Sequence, residues 1–460
     1  MVQEPQGWFP DSWRQHAGSS QELERGMVTH GWPLHTRLTL SPGLLLLVAL
    51  LGGCGAGGRT TPPPAVSTAN AFVPDPALQD LIDPRPVAGG LSWLGGDVAA
   101  SVAVSDDRYV WIFGDTLIGH VADRCPDAER YCDRRLEARD VEHGMIPNSV
   151  GVMRRAAGGE FAPLATYWRN RDGVPAPIFE PANPDEFLWP LAMVHVEGQL
   201  LIAANRHTRD SGLFALGNVF LRVRNPADPP DAWTYGRQPV PNVIDYRQGP
   251  VPLTWTTALV AVDDWIYVVG SDGVGGAARM VLARFPAKDL AEPTWKPELE
   301  YWLEAPPSGA GAAQTVWSRT FDRARLHAVP GLSGTSEAVF TFSEAWGWYT
   351  FQIDPLSFDI RMYSAPAIEG PWRDRGLVYR IPAPWSTERT ACASLTGDCP
   401  LRFGAYAAKS HPELAAWRSA PFALSYNVNV SDGSGHAAKH AAESTYGFYV
   451  PQLVSGGVRR

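Results

Sequence analysis

Long apolar runs are scarce in this 460-residue chain. The strongest, LLLLVALL at 44–51, falls well short of the ~20 residues that a membrane-spanning helix needs. Positive charge is in deficit: 39 Lys and Arg stand against 48 Asp and Glu, a net charge of −9, and no long basic block occurs. That balance argues against electrostatic binding of nucleic acid. Charged residues make up only 19% of the chain and hydrophobic ones 45%, too apolar a mixture for a disordered protein. Sustained 3.6-residue periodicity is missing, and 44 glycines and 41 prolines punctuate the chain. Both residues interrupt helices, so a helical bundle is excluded. The chain also has no G-x-S-x-G elbow, Walker loop, H-E-x-x-H pair or strand-to-helix dinucleotide fingerprint. Cysteine is rare, and its count of five is odd.

The odd cysteine has a place. LLLLVALL has the length of a signal-peptide apolar region, and Gly52-Gly53-Cys54 follows it at once. Leu51-Gly52-Gly53-Cys54 resembles the bacterial lipobox, which implies lipidation of Cys54, export, and anchoring to the bacterial membrane or cell surface. Residues 1–53 read as the signal region, and Met27 makes a better start than Met1. Residues 54–75, rich in Gly, Pro and Thr, read as a tether with nothing to bury. The other four cysteines form two C-x6-C pairs, Cys125 with Cys132 and Cys392 with Cys399. In an exported chain two local disulfides are the natural reading, with a zinc site as the sharper alternative.

At about 150 residues per domain the length suggests two or three domains, but one large all-β domain over 76–460 also fits. From residue 90 onward short runs rich in Val, Trp, Tyr and Phe alternate with turn signals, as in YVWIFGD, QLLIAAN, WIYVVGS and WGWYTFQI. Such runs predict strands. The best helical stretch is 127–140, taken as a loop insertion. A weak repeat opens at Gly96-Asp97, Trp189-Pro190, Trp255-Thr256, Ser336-Glu337 and Tyr406. It predicts a five-bladed β-propeller, with 446–454 supplying the strand that closes the ring. A sandwich with long loops is the competing architecture.

Asp97 and Asp115 lie nearly equidistant from an expected turn at Asp106-Asp107, at the same end of one two-stranded ladder. Whether they share a face depends on the loop: an odd loop puts them together, an even one apart. Gly114 offers a place for a bulge that re-aims Asp115. Two carboxylates at a channel mouth are what glycoside hydrolysis requires; the plainer reading is that both cap turns. Glu337, near a predicted strand start, is the next acid, or else a structural partner of Arg319. Glu344 sits in a solvated turn. Trp189, Trp255, Trp317 and Trp346 offer sugar-stacking faces, although most tryptophans belong to cores. His411 either ligates a metal, points into the channel, or is structural. Asn148, Asn205, Arg319, Tyr406 and Asn427 are hydrogen-bonding candidates for the cleft. No organic cofactor is expected; a channel-bound ion such as calcium is compatible.

GGDVAASVAVSDDRYVWIFGDTLIG, with Pro147-Asn148-Ser149, ALVAVDDWIYVVGSDG, SEAVFTFSEAWGWYTF and Ser410-His411-Pro412-Glu413-Leu414, resembles the DUF4185/DUF5005-like bacterial propellers. These are related to glycoside hydrolases, including endo-D-arabinanases. The resemblance covers most of 90–454. It implies a five-bladed propeller with a cleft facing a polysaccharide substrate, and an acidic pair at Asp97 and Asp115. By likeness to propeller glycosidases with a third, tuning carboxylate, it implies Asp97 as general base, Glu337 as general acid and Asp115 as tuner. The alternative is a surface propeller that binds glycan or protein without catalysis.

Overall fold

The structure, a computed structural model, describes residues 72–121 (except 86, 88 and 89), 134–135, 145–208, 215–244, 252–273, 278–305, 314–354, 357–382, 402–431 and 449–458. Cys54, Cys125, Cys132, Cys392 and Cys399 lie outside the described residues, as do the signal region and most of the tether. Among the described residues no helix is long and apolar enough to cross a membrane.

Five antiparallel meander sheets follow one another along the chain. The first runs through Ala100–Ser105, Arg108–Phe113, Ser149–Arg154 and Ala165–Tyr167. The second comprises Glu186–Val196, Gln199–Thr208, Gly217–Val223 and Tyr235–Pro239. The third adds a fifth strand to Leu253–Val262, Trp265–Asp272, Arg279–Pro286 and Glu300–Glu304, namely Thr315–Ser318. The fourth holds Thr341–Ser343, Gly347–Ile353, Asp359–Ala365 and Arg373–Arg380. The fifth begins with Arg402–Ser410, Phe422–Ser431 and Gln452–Gly456, and Phe72–Pro74 completes it from the other end of the chain. Each repeat opening expected from the sequence falls on, or a few residues before, the first strand of a sheet.

Turn chemistry explains why the strands stop where they do. Glu197 and Gly198 both take positive φ, 51° and 70°, as the two-residue hairpin turn matched to strand twist demands. Asp106-Asp107 and Asp263-Asp264 occupy the equivalent turns in the first and third sheets. The expected helix at 127–140 is not seen where the chain is described: Arg134–Arg135 pairs as strand with His120–Val121. Those residues extend a small sheet, Ser92–Gly96 with Thr116–Val121, that sits beside the first meander.

Period-two alternation gives each sheet two apolar faces, and each face packs on the next sheet. Val110, Ile112, Ile202 and Leu221 share a core between the first and second sheets. Phe220, Trp255, Val268 and Phe285 do so between the second and third, and Val269, Leu282, Phe340 and Trp372 between the third and fourth. Phe351, Ile360, Leu424 and Val428 join the fourth to the fifth. Trp111, Phe113, Ala423 and Leu453 then join the fifth sheet back to the first.

Two boundaries differ from the sequence reading. Among the described residues the fold already includes Phe72, ahead of the expected start at 76, because Phe72 is fully buried, its ring 5.7 Å from that of Phe351 and 6.1 Å from that of Phe422. The chain end, Gln452–Gly456, is the third strand of its sheet, and the outermost position goes to Phe72–Pro74. Phe72→Ala should therefore destabilise the protein by about 3–5 kcal/mol in denaturant unfolding, the usual cost of emptying a buried aromatic site. A loss below about 1 kcal/mol would mean that the N-terminal strand does not hold the fifth sheet.

Candidate active site at the first strands

A ring of polar contacts links the sheets near their first strands. Trp189 Nε1 donates to Asp115 Oδ1 at 2.6 Å, joining the second sheet to the first. Thr256 Oγ1 donates to Asn205 Oδ1 at 2.9 Å, and Thr257 Oγ1 to the Thr335 carbonyl at 2.9 Å. Lys409 of the fifth sheet donates to Glu337 Oε2, ahead of the fourth. Tyr406 Oη donates to Asp97 Oδ2 at 3.0 Å, and Lys409 Nζ also to the Val98 carbonyl.

Register brings the two aspartates together. With only the two-residue turn at Asp106-Asp107, Ser105 pairs with Arg108, and Asp97 would face position 116. The pairing slips by one residue between Ala103 and Ser105, so that Ala100 pairs with Ile112. This register carries on to Asp97 and Asp115: the Asp97 amide donates to the Asp115 carbonyl at 3.2 Å, and the Gly114 amide to the Asp97 carbonyl at 3.2 Å. Directly opposed residues share a face. Gly114 itself is not a bulge. Its missing side chain leaves room for the Asp97 carboxylate, which a Cβ at that position would strike.

The turn carrying Asp97 is strained. Val98 and Ala99 take φ of 68° and 50°, a left-handed pair without glycine, and the first is β-branched. Each such residue costs about 1–3 kcal/mol and persists only where its surroundings over-determine it. The Lys409 ammonium on the Val98 carbonyl is one such restraint.

The electrostatics set these carboxyls apart from surface acids. Burial, with the neighbouring Asp115 and Glu337 carboxylates, holds Asp97 well above the usual carboxylate range. Its Oδ1 is buried without a hydrogen-bond partner. Burial pushes Asp115 up to about 7, against the Trp189 N–H, which favours the ionised form. Burial, then Asp97 and Glu337, also raises Tyr406 well above its ordinary value; burial, then Asp97 and Asp115, does the same for Tyr449. Both carboxyls therefore hold their protons to higher pH than surface acids do.

Of the residues expected from the sequence, Asp97, Asp115, Glu337, Trp189 and Tyr406 meet here. Asn427 lies just behind, fully buried, with its Nδ2 on the Gly96 carbonyl at 3.3 Å. Asn205 belongs to the ring of polar contacts through Thr256, and Asn218 Nδ2 also donates to it at 2.7 Å. Several others sit outside the ring. Asn148 is a buried staple, donating to the Phe179 and Leu188 carbonyls and accepting from the Phe179 amide. Trp255 is fully buried in the core between the second and third sheets, so its faces offer nothing to a sugar. Arg319 is 70% exposed beside Glu298 and Glu300, and the partner of Glu337 is Lys409 instead. His411 is buried against Trp111, both ring nitrogens engaged by hydroxyls: Ser101 Oγ at 2.7 Å and Ser425 Oγ at 2.8 Å. It neither lines a channel nor has a nitrogen free for metal. Among the described residues no group of three or more His, Cys, Asp or Glu side chains is arranged to hold a metal ion. Sequence reasoning missed Lys409 and Tyr449; the one signal for Lys409 was a lone lysine inside an apolar strand run, Ala407-Ala408-Lys409.

A family model described as "Domain of unknown function (DUF5005)" matches residues 89–455. The chain belongs to that family. Among solved structures, a candidate hydrolase of Bacteroides ovatus superposes with a TM-score of 0.57 at 16% identity, over 84% of this chain and 89% of that one. The GH62 α-L-arabinofuranosidase catalytic domain of Coprinopsis cinerea aligns with a TM-score of 0.39 at 9% identity, over 82% and 94% of the two chains. A GH43_1 enzyme of Xanthomonas citri, solved with xylotriose, aligns with a TM-score of 0.36 at 12% identity, over 83% and 94%. The Bacteroides likeness speaks for the fold alone, and the two weaker ones carry no argument. No curated protein matches.

The raised carboxyls of this family member have a measurable consequence for stability. In the unfolded chain Asp115 ionises near pH 4, whereas in the folded protein it keeps its proton until about 7. Stability from this group is therefore full below about pH 4 and is lost as pH rises toward 7. Asp115→Asn should raise Tm little at pH 4 and increasingly up to pH 7, then level off. A Tm difference that is flat with pH would refute a raised Asp115.

Proposed function

We propose that the five sheets are blades of a closed five-bladed propeller and that its centre hydrolyses glycosidic bonds through Asp97 and Asp115. The five shared cores, the last of them between the fifth sheet and the first, support the ring. The observation that carries the chemistry is the register that sets two half-buried aspartates of raised proton affinity opposite each other.

The roles follow from which carboxylate is worse solvated when charged. Asp97 faces two other carboxylates and has one oxygen with no partner, so it is the one that keeps its proton. It is the general acid, giving its proton to the leaving glycosidic oxygen as the C–O bond breaks. Asp115, whose anion accepts the Trp189 N–H, is the base or nucleophile. It either takes a proton from the attacking water, or itself bonds to the anomeric carbon until water, giving its proton to the now ionised Asp97, breaks that ester. The separation of the pair selects between the two. Glu337 is unsuited to the acid role expected from the sequence, because protonating it would strand the buried Lys409 charge. Trp189 orients Asp115 and borders the sugar site.

The substrate class is a polysaccharide, with arabinofuranosidic links the first to test, as in the family the sequence resembles. The apolar run ending in Gly52-Gly53-Cys54 supports an exported chain anchored to the membrane through lipid on Cys54, a setting in which the two C-x6-C pairs close as disulfides.

Purified protein incubated with arabinans and arabinogalactans should release sugar. Asp97→Asn and Asp115→Asn should each cut kcat by at least about 10³-fold while leaving the fold intact, on the scale of lost acid–base catalysis. Chemical rescue separates the roles: azide should restore turnover in Asp115→Gly and yield a glycosyl azide of inverted anomeric configuration, whereas any azide product of Asp97→Gly should keep the substrate's configuration. Asp97→Gly should retain activity toward an aryl glycoside whose leaving group needs no proton. Wild-type rates in both Asn variants would sink the assignment. Tight glycan binding with no product from the native protein would favour a non-catalytic binding propeller.

A further inference from the structure

Lys409 is fully buried, and no step of the proposed hydrolysis uses it. Its position is costly to build. Tyr406 and Lys409 are three residues apart on the first strand of the fifth sheet, and a regular strand would send them to opposite faces. The pairing of this strand with Phe422–Ser431 slips between Tyr406 and Lys409, and Ala407 within the slip takes a left-handed φ of 57°. That bulge brings both side chains to the aspartate site: Tyr406 onto Asp97 Oδ2, Lys409 onto Glu337 Oε2 and the Val98 carbonyl. A lysine needed only to satisfy Glu337 would not have to reach the backbone of the turn that carries Asp97.

We infer that Lys409 is a positioning residue: its ammonium pins the strained Val98–Ala99 turn and so aims Asp97, while Glu337 serves as its counter-ion. An ammonium is suited to this, since three donors on one atom bridge a carbonyl and a carboxylate together. The groups facing Asp97 are then Asp115 from its own sheet, Glu337 ahead of the fourth, and Tyr406, Lys409 and Tyr449 from the fifth. Of these Lys409 alone is cationic, and it opposes the two carboxylates that hold the Asp97 proton on.

This inference deepens the glycosidase reading, and a readout that needs no substrate tests it. In full-length protein with ¹³C-labelled aspartate carboxyls, the Asp97 resonance is identified by its loss in Asp97→Asn and followed through a pH titration. Lys409→Met leaves Glu337 uncompensated, so Asp97 should hold its proton to higher pH than in the native protein. Glu337→Gln leaves the ammonium uncompensated, so Asp97 should release its proton at lower pH. Opposite shifts require the Lys409 and Glu337 charges beside Asp97, and native titration of Asp97 in both variants would overturn the inference. The pinning of the turn is read from the double variant, which has neither charge. Should Lys409→Met fail to fold, Lys409→Met/Glu337→Gln removes both buried charges together. In that double variant the turn is still unpinned, and kcat should fall at least about tenfold with KM within about threefold of native. A folded double variant with native kcat would likewise overturn it. A native protein inactive on every glycan would refute the hydrolase reading, yet the titration would still judge Lys409.

Discussion

Charge kept out of water governs this molecule. Three carboxyls and one ammonium are buried or nearly so where the first strands of the sheets meet, and no apolar core tolerates that arrangement unless each charge is matched or neutralised. Two different solutions stand side by side. Glu337 is matched by Lys409. Asp97 and Asp115 have no cation of their own, and burial holds the proton affinity of each above that of a surface acid instead. The raised carboxyls, the engaged tyrosine and the pinned turn all follow from that asymmetry. A second cation at the aspartate pair would relieve the strain of burial, but it would also discharge the proton on which the proposed hydrolysis relies.

Much of the architecture was legible in the sequence, for a physical reason. Sheets built from hairpins declare themselves through short runs rich in Val, Trp, Tyr and Phe and through the turn residues between them, and both are local properties of the chain. The openings at Trp189, Trp255 and Tyr406 fall inside first strands, and those at Asp97 and Glu337 just ahead of them. The fifth sheet was less legible, because its outer strand comes from Phe72–Pro74 at the far end of the chain. Three apolar residues beside a Pro-rich tether carry almost no periodic signal. What reveals Phe72 is its burial among Phe351 and Phe422, and that is a tertiary fact.

The site was partly legible. Aspartates equidistant from a turn point to each other on paper, so Asp97 and Asp115 were visible, and tryptophan and tyrosine at strand starts gave Trp189 and Tyr406. For Asn148, Trp255, Arg319 and His411 the sequence left both the cleft and the structural reading open, because a polar or aromatic residue beside a strand end looks the same whether it faces a cleft or a neighbouring sheet. Asn148 shows the difference. Its amide fits three backbone partners between the first and second sheets, and no sequence pattern records those distant carbonyls.

The hidden ingredient is the bulge. A strand presents every second residue to one face, so a reactive centre built from strands can be supplied only at fixed parity. Here two single-residue slips alter that parity. The one after Ala103 sets Asp97 opposite Asp115, and the one after Tyr406 turns Tyr406 and Lys409 toward the same centre. Neither involves a glycine or a proline, the residues that usually mark irregularity, so alternation alone predicts the wrong faces for Asp97 and Lys409. Both slips lie in first strands, which pack against neighbouring sheets through their flanking apolar residues. The energy that holds these irregularities in place therefore comes from the inter-sheet cores rather than from the site, and the strained turn at Val98 and Ala99 persists because the sheets around it cannot relax independently.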